Sequence, residues 1–242
     1  MSIAEEYSFA SSRGVGTLDV DLSCLIENII NFMHQTIPIW VSESKVGDNI
    51  SEGDLNSSLC DTLDSEARDK LPLIRFHHED PAGKQRRLDL GAKPVKQIFA
   101  SKHSYSRHDT ILPIEGKRLP APKKEREREY VSGVEAKKTT GGMQRFKTGD
   151  HGRTHSHVVL VAYIQENNFH HWEKQVNSWI DEFVINPPPT GETWDVSEKL
   201  TTQTSAPQIT KLTSILLRNE NCLTKQLNLT HLWVMLPPPS TS

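Results

Sequence analysis

The sequence predicts an α/β fold, a mixed β-sheet flanked by helices, with a helical addition before it and a strand hairpin after it. Three observations carry this. Val158 to Ile164 is an unbroken apolar run of strand length, of the kind buried on both faces of a sheet. Phe169, Trp172, Val176, Trp179, Ile180 and Phe183 follow it as the apolar stripe of a helix. Between Leu71 and Leu119, segments of strand composition are separated by turn residues and an irregular stretch.

Taken in order, Leu22, Leu25, Ile26, Ile29, Ile30 and Met33 predict a helix from about Leu18 to Gln35, ending before Pro38. Ser42 to Asn49 reads as a loop. Ser51 has N-cap chemistry, and Leu55, Leu59 and Leu63 extend a second helix to about Asp69. Leu71 to Glu79 is a strand, Asp80 to Gly83 a turn and Gln85 to Ala92 the hairpin partner. Lys93 to Arg107 is irregular. The third strand holds Glu115 and Lys117, with Pro113 marking an irregularity or an edge and Pro120 and Pro122 closing it. Lys123 to Lys138 reads as a helix, Thr139 to Gly142 as a break and Met143 to Lys147 as a short helix. The His157–Gln165 strand and the Phe169–Phe183 helix follow, up to Pro187. After a polar stretch to about Pro207, Ile209 to Arg218 and Leu227 to Leu236 form a terminal hairpin, and Pro237 to Ser242 a frayed tail. The organisation is therefore a helical extension over 1–50, a core over 51–186 and a C-terminal extension over 187–242, and the core order is α-β-β-β-α-β-α.

The chain has 242 residues and a formal net charge of −3, which argues against a globally basic nucleic-acid binder. The charge is unevenly spread: Met1 to Glu66 holds 12 acidic and 2 basic residues, whereas Lys117 to Lys147 holds 10 basic and 4 acidic. The second segment suits a polyanion, because counterion release depends on local positive charge. The alternating signs of Lys123 to Glu129 also suit a solvated helical face closed by i,i+4 pairs. Cys24, Cys60 and Cys222 lie far apart without a C-x-x-C and read as buried small hydrophobes in a reducing compartment. No apolar run is long enough for a membrane span and no signal-peptide pattern opens the chain, so a cytoplasmic location is expected. The histidines at 77–78, 151–157 and 170–171 lack accompanying cysteines and are not read as metal ligands.

The segment His108 to Arg118 carries the chemistry. Side chains alternate along a strand, so Glu115 and Lys117 project together from an apolar run, where unpaired charges are costly. The adjacent hairpin strand supplies Asp89, and neighbouring strands lie about 5 Å apart. Two carboxylates offer hard oxygen ligands to Mg²⁺, and an ammonium beside them can orient water or offset charge on a phosphorane. Other assignments stay open: Glu115 and Lys117 as an edge ion pair, Asp89 as a partner of Arg86 or Arg87, and Glu52 and Asp54 as dipole compensation in a first helical turn. Asp109 is a rival to Asp89 as the first acid.

These residues fall in an ordered set: Glu52-Gly53-Asp54-Leu55, Arg87-Leu88-Asp89-Leu90-Gly91, Ile114-Glu115-Gly116-Lys117-Arg118-Leu119, Arg128-Glu129-Tyr130-Val131 and Gly142-Met143-Gln144-Arg145-Phe146. From Ser51 to Phe183 the set and the element order resemble the PD-(D/E)xK nuclease superfamily, the restriction-endonuclease-like fold, and within it a bacterial branch with E-x-K-R-L, R-E-Y-V and G-M-x-R-F motifs. Leu88 stands where the motif has proline. The resemblance implies that Asp89 and Glu115 bind Mg²⁺, with Mn²⁺ as a substitute, that Lys117 assists the reaction, and that Glu52 adds a helix acid to the metal shell. It further implies that Arg118, Lys123, Lys124, Tyr130, Arg145 and Lys147 contact nucleic acid, with bracing of the site as the other role for Tyr130, Arg145 and Lys147. The implied function is a Mg²⁺-dependent endonuclease acting on DNA, a bacterial restriction or antiviral defence effector that works with a protein partner or as a homo-oligomer and not at a membrane. The alternative is a catalytically inactive nuclease-fold module for nucleic-acid binding or complex assembly, and RNA remains a third possible target.

Overall fold

The computed structural model describes residues 18–43, 50–81, 87–100, 103–136 and 138–237. The expected turn tip beyond Pro81, most of the Ser42–Asn49 loop and the Pro-rich tail from Pro238 lie outside them. The fold is mixed α/β: a large mixed sheet with helices on both faces.

Helix α1 (Leu22–Glu43) and helix α2 (Glu52–Lys70) lie on one face. The expected stop before Pro38 is not observed. Ile37, Trp40 and Val41 continue the buried stripe past the proline, so packing outweighs the missing backbone donor. The Trp40 indole donates to Ser58 Oγ at 3.0 Å and ties α1 to α2. Ser51 caps α2 by accepting from Asp54 N at 3.1 Å.

Strands β2 (Ile74–Pro81) and β3 (Arg87–Pro94) form the expected antiparallel hairpin. The stretch that reads as irregular holds β4 (Ile98–Ala100) and β5 (His103–Tyr105), which join β1 (Leu18–Val20) in a small three-stranded sheet. Strands of three residues are too short to show alternation, and Leu18 to Val20, expected as the start of the first helix, is a strand, with the helix beginning at Leu22. Strand β6 (Leu112–Leu119) carries Glu115 and Lys117.

The expected Lys123–Lys138 helix shrinks to a 3-10 helix, Lys124–Tyr130. Its sequence has no apolar stripe at helical spacing to bury, and without one a longer helix gains little from packing. Helix α3 (Gly142–Thr148), strand β7 (His157–Ile164) and helix α4 (Phe169–Ile185) fall where the pattern puts them. Strand β8 (Thr201–Ser205) is wholly polar and exposed, so no pattern announces it.

Strands β9 (Ile209–Leu217) and β10 (Gln226–Met235) pair as a hairpin. That hairpin extends the main sheet, whose order is β2-β3-β6-β7-β10-β9-β8. Parallel pairing of β10 with β7 runs from Asn228↔His157 to Met235↔Ile164. The apolar core is accordingly split by the sheet: one cluster joins it to α1 and α2, and the other packs beneath α3 and α4. Among the described residues no helix is long and apolar enough to cross a membrane.

One irregularity positions the candidate site. Strand β3 pairs with β6 from Ala92↔Leu112 to Leu90↔Ile114, whereas β6 stays paired with β7 through Leu119. Beyond Ile114 the side of β6 facing β3 must find other acceptors for its backbone N–H groups.

Candidate active site

Two carboxylates supply those acceptors. Asp89 Oδ2 accepts from Gly116 N at 2.8 Å, and Glu52 Oε2 from Arg118 N at 3.2 Å. The other oxygen of Glu52 accepts from Lys117 Nζ at 2.7 Å. An acid from α2 and an acid from β3 thus meet on the strand that holds Glu115 and Lys117.

Gly116 lets α2 come this close. A Cβ there would lie 1.9 Å from Asn56 Oδ1, and Asn56 is buried on α2 and accepts from the Tyr163 hydroxyl at 2.8 Å. The middle position of Glu115-Gly116-Lys117 is therefore a contact surface, which the sequence reading did not anticipate. Asn56 was missed with it, because a buried Asn in a helix has no periodic signature.

Glu115 is fully buried and faces α3. Arg145 Nη1 donates to its Oε2 at 2.9 Å, and Arg145 Nε donates to Thr139 O at 3.3 Å. His151 Nδ1 lies 2.5 Å from Glu115 Oε1. Neither of these two atoms has a hydrogen-bond partner of acceptable geometry, nor has His151 Nε2, although all three are buried. In the sequence the His151–His157 group is weighed only as a set of metal ligands, and the contact of His151 with Glu115 is not anticipated. The available signal was its place between Gly149 and Gly152 directly after the Gly142–Phe146 motif.

The charges interact strongly. Burial pushes the Asp89 carboxyl up, and neighbouring Glu115 and Glu52 add to it against Lys117 and the Gly116 N–H, giving about 6. Burial also pushes Glu115 up, but contacts with His151, Lys117 and Arg145 more than reverse this and hold it below the usual carboxylate range. For Lys117, burial favours the neutral amine, and the charges of Glu52, Asp89 and Glu115 prevail to raise its pKa. Two carboxylates of unlike acidity beside an ammonium make a set in which proton affinities are pushed apart.

The residues suit a hard divalent cation of the Mg²⁺ class. Such ions are commonly held by one or two carboxylates with water completing the shell, and Glu115 Oε1 is a buried oxygen with only His151 Nδ1 beside it. Among the described residues no three His, Cys, Asp or Glu side chains form a ready ligand group. Asp89 and Glu115 are therefore the donors on offer, and Glu52 is engaged by Lys117 and Arg118.

Other expected contacts are placed differently. Lys147 is buried, with its ammonium on Glu198 Oε1 and on Leu217 O at 2.8 Å, so it does not face a polyanion. Tyr130 is buried in a neutral network: its hydroxyl meets His231 Nδ1 at 2.8 Å and receives the Trp233 indole N–H at 2.7 Å. The apolar surroundings that make Tyr130 a core ring remove it from any phosphate. Arg118 donates to Gln165 Oε1 at 2.8 Å and Ile50 O at 3.1 Å, bracing the ends of β7 and α2. Arg145 braces Glu115. Lys123 and Lys124 are exposed at the start of the 3-10 helix. Asp109, the rival acid, is exposed and accepts from Ser106 N at 2.7 Å and Ser106 Oγ at 2.8 Å, before β6 begins.

No family model, no curated protein and no solved structure matches the chain.

Proposed function

We propose that the chain is a metal-dependent nuclease of the PD-(D/E)xK type that hydrolyses phosphodiester bonds. The observation that carries this reading is the meeting of Glu52, Asp89, Glu115 and Lys117 where β3 leaves β6, with Asp89 raised to about 6 and Glu115 held low. Asp89 and Glu115 would hold Mg²⁺ or Mn²⁺. When bound, the ion supplies Lewis acidity toward the phosphodiester and lowers the pKa of water.

The chain's own residues have separate tasks. Arg145 and the backbone of Gly116 orient the two ligand carboxylates. Lys117, charged and held by Glu52, points its ammonium at the acidic cluster, where it can orient water or offset charge that develops on the phosphoryl oxygens. Lys123 and Lys124 are exposed cations available to guide a phosphate backbone, whereas Arg126 and Arg128 after them pair with Glu129 and Glu182. DNA as the polymer, and a role in bacterial restriction or antiviral defence with a protein partner or a second copy, rest on the motif resemblance alone.

A second reading, a nuclease-fold module that only binds or assembles, is favoured by one observation: Lys117–Glu52 and Arg145–Glu115 already pair within the chain. Incubating the purified chain with single-stranded DNA, duplex DNA and RNA in Mg²⁺, Mn²⁺ or EDTA separates the two. Cleavage that needs the metal and is lost in Lys117→Ala is expected. Cleavage equal in both proteins would point to a different site or a contaminant, and tight binding without cleavage would favour the module.

A further inference from the structure

Resting on the metal-nuclease reading, we infer that His151 is a positioning residue for Glu115, clamping with Arg145 the carboxylate that would hold the ion. The loop around it is built for that contact. Gly149 and Gly152 both adopt left-handed backbone conformations, with φ of 79° and 61°, and a Cβ at Gly149 would lie 2.6 Å from Cys222 Sγ. Between these glycines the chain turns inward, His151 N donates to Arg145 O at 3.0 Å, and the ring stands edge-on to Phe146 with centroids 6.2 Å apart.

The same helix turn and its following loop therefore deliver both groups that touch Glu115: Arg145 on Oε2 and His151 Nδ1 on Oε1, at 2.9 and 2.5 Å. Burying a polar imidazole costs free energy that an apolar side chain in the same place would not, unless a polar partner meets it, and Glu115 is that partner. An N–H on Nδ1 directed at Oε1 restricts the carboxylate's rotation, as the Arg145 guanidinium does from Oε2. Groups that orient metal ligands in this way typically change metal affinity by roughly 10–100-fold when lost.

The test is Mn²⁺ binding to the full chain by titration calorimetry, which needs no cleavage. Asn places its amide N–H where Nδ1 stands, whereas Gln carries the same group one methylene farther. His151→Asn is expected to keep most of the affinity, and His151→Gln and His151→Leu to lose about tenfold or more. Thermal melting in EDTA checks folding, and the Asn and Gln pair carries the comparison if the Leu variant unfolds. Equal Mn²⁺ affinity in the Asn, Gln and unsubstituted chains would overturn the positioning role and leave the metal reading standing. Failure of the unsubstituted chain to bind Mn²⁺ would overturn the metal reading and this inference with it.

Discussion

Helix α3 sends two cations to two buried acids, and the two clusters differ in how completely they close. Lys147 meets Glu198, whose Oε1 also accepts from Leu217 N at 2.6 Å and whose Oε2 accepts from Asp195 N at 2.9 Å. The Lys147 ammonium also donates to Leu217 O and lies 4.9 Å from the centroid of the Trp194 ring. The oxygens and the ammonium of this cluster all have partners, although the buried Trp194 indole N–H has none, and the cluster seats the 187–200 segment on the core. Arg145 meets Glu115, whose Oε1 has only His151 Nδ1 beside it at 2.5 Å, while the buried His151 Nε2 has no hydrogen bond and Asp89 forms no ion pair among the described residues, Lys117 acting on it without one. Each unpaired buried polar group costs about 1–3 kcal/mol, and in the Glu198 cluster the charged atoms are the ones that are satisfied. The Glu115 cluster keeps a buried polar atom without a partner, whereas the Glu198 carboxylate and its ammonium keep none, and that is the difference on which the proposed metal site rests.

Breaking the closed cluster should have the largest effect on stability. Lys147→Ala leaves Glu198 buried without its cation and is expected to cost about 3–5 kcal/mol in urea or guanidinium unfolding. Lys117→Ala makes the sharpest contrast. Its partner Glu52 is 35% exposed and can turn to water, so less stability is lost, while cleavage falls by about 100-fold or more. If the Lys147 variant were as stable as the unsubstituted chain, closure would not be what distinguishes the two clusters.

The open cluster should reveal itself through pH. Burial and the neighbouring carboxylates push the Asp89 carboxyl up to about 6, against an ordinary value of 3.8, so the folded state binds its proton more tightly than the unfolded state does. The stability this contributes is fully present below about pH 4 and is lost as pH rises through 6, up to about 3 kcal/mol in all. Glu115 has the opposite sign: its contribution is present above the ordinary carboxylate pKa and is lost as pH falls. Asp89→Asn keeps an acceptor for Gly116 N and removes the charge. The variant is expected to be more stable than the unsubstituted chain at pH 8, by up to about 3 kcal/mol, with the gain fading to nothing near pH 4. Denaturation curves between pH 4 and 8 measure it, and a gain independent of pH would show that Asp89 is not under electrostatic pressure in the fold.

The parts legible in the sequence are those with a period or a cap. The Val158–Ile164 run, the Trp172–Phe183 stripe and the Ser51 cap each express a local rule, and each element lies within a few residues of its expected span. Alternation on β6 places Glu115 and Lys117 on one face, and the structure brings Asp89 and Glu52 to the same strand. Short β4 and β5, and polar β8, have no period to read. Lys147 and Tyr130 look like surface chemistry in a basic segment, but their partners Glu198 and His231 come from the distant C-terminal strands and the loop before them. Non-local pairing of that kind is invisible to a one-dimensional pattern. His151 was lost for the complementary reason: its significance is a contact 36 residues away with Glu115, created by two glycines that look like loop filler.

A last substitution tests whether the open cluster depends on how α2 is seated. Gly116→Ala puts a Cβ 1.9 Å from Asn56 Oδ1 and 2.8 Å from Asn56 Cγ, and Asn56 is short, buried and held by Tyr163, so it has little room to yield. A loss of about 1–3 kcal/mol is expected from overpacking. Asn56→Ala removes the clash but strips the buried Tyr163 hydroxyl of its acceptor, at about 1–3 kcal/mol by itself. The double variant should therefore be less destabilised than the two single losses added together, since the residues touch. Displacing α2 also draws Glu52 away from Lys117 and Arg118, so the Gly116 variant should lose cleavage while still folded, and the second substitution should restore part of it. Additive losses in the unfolding cycle would mean that α2 and β6 are not in the contact that delivers Glu52 to the site.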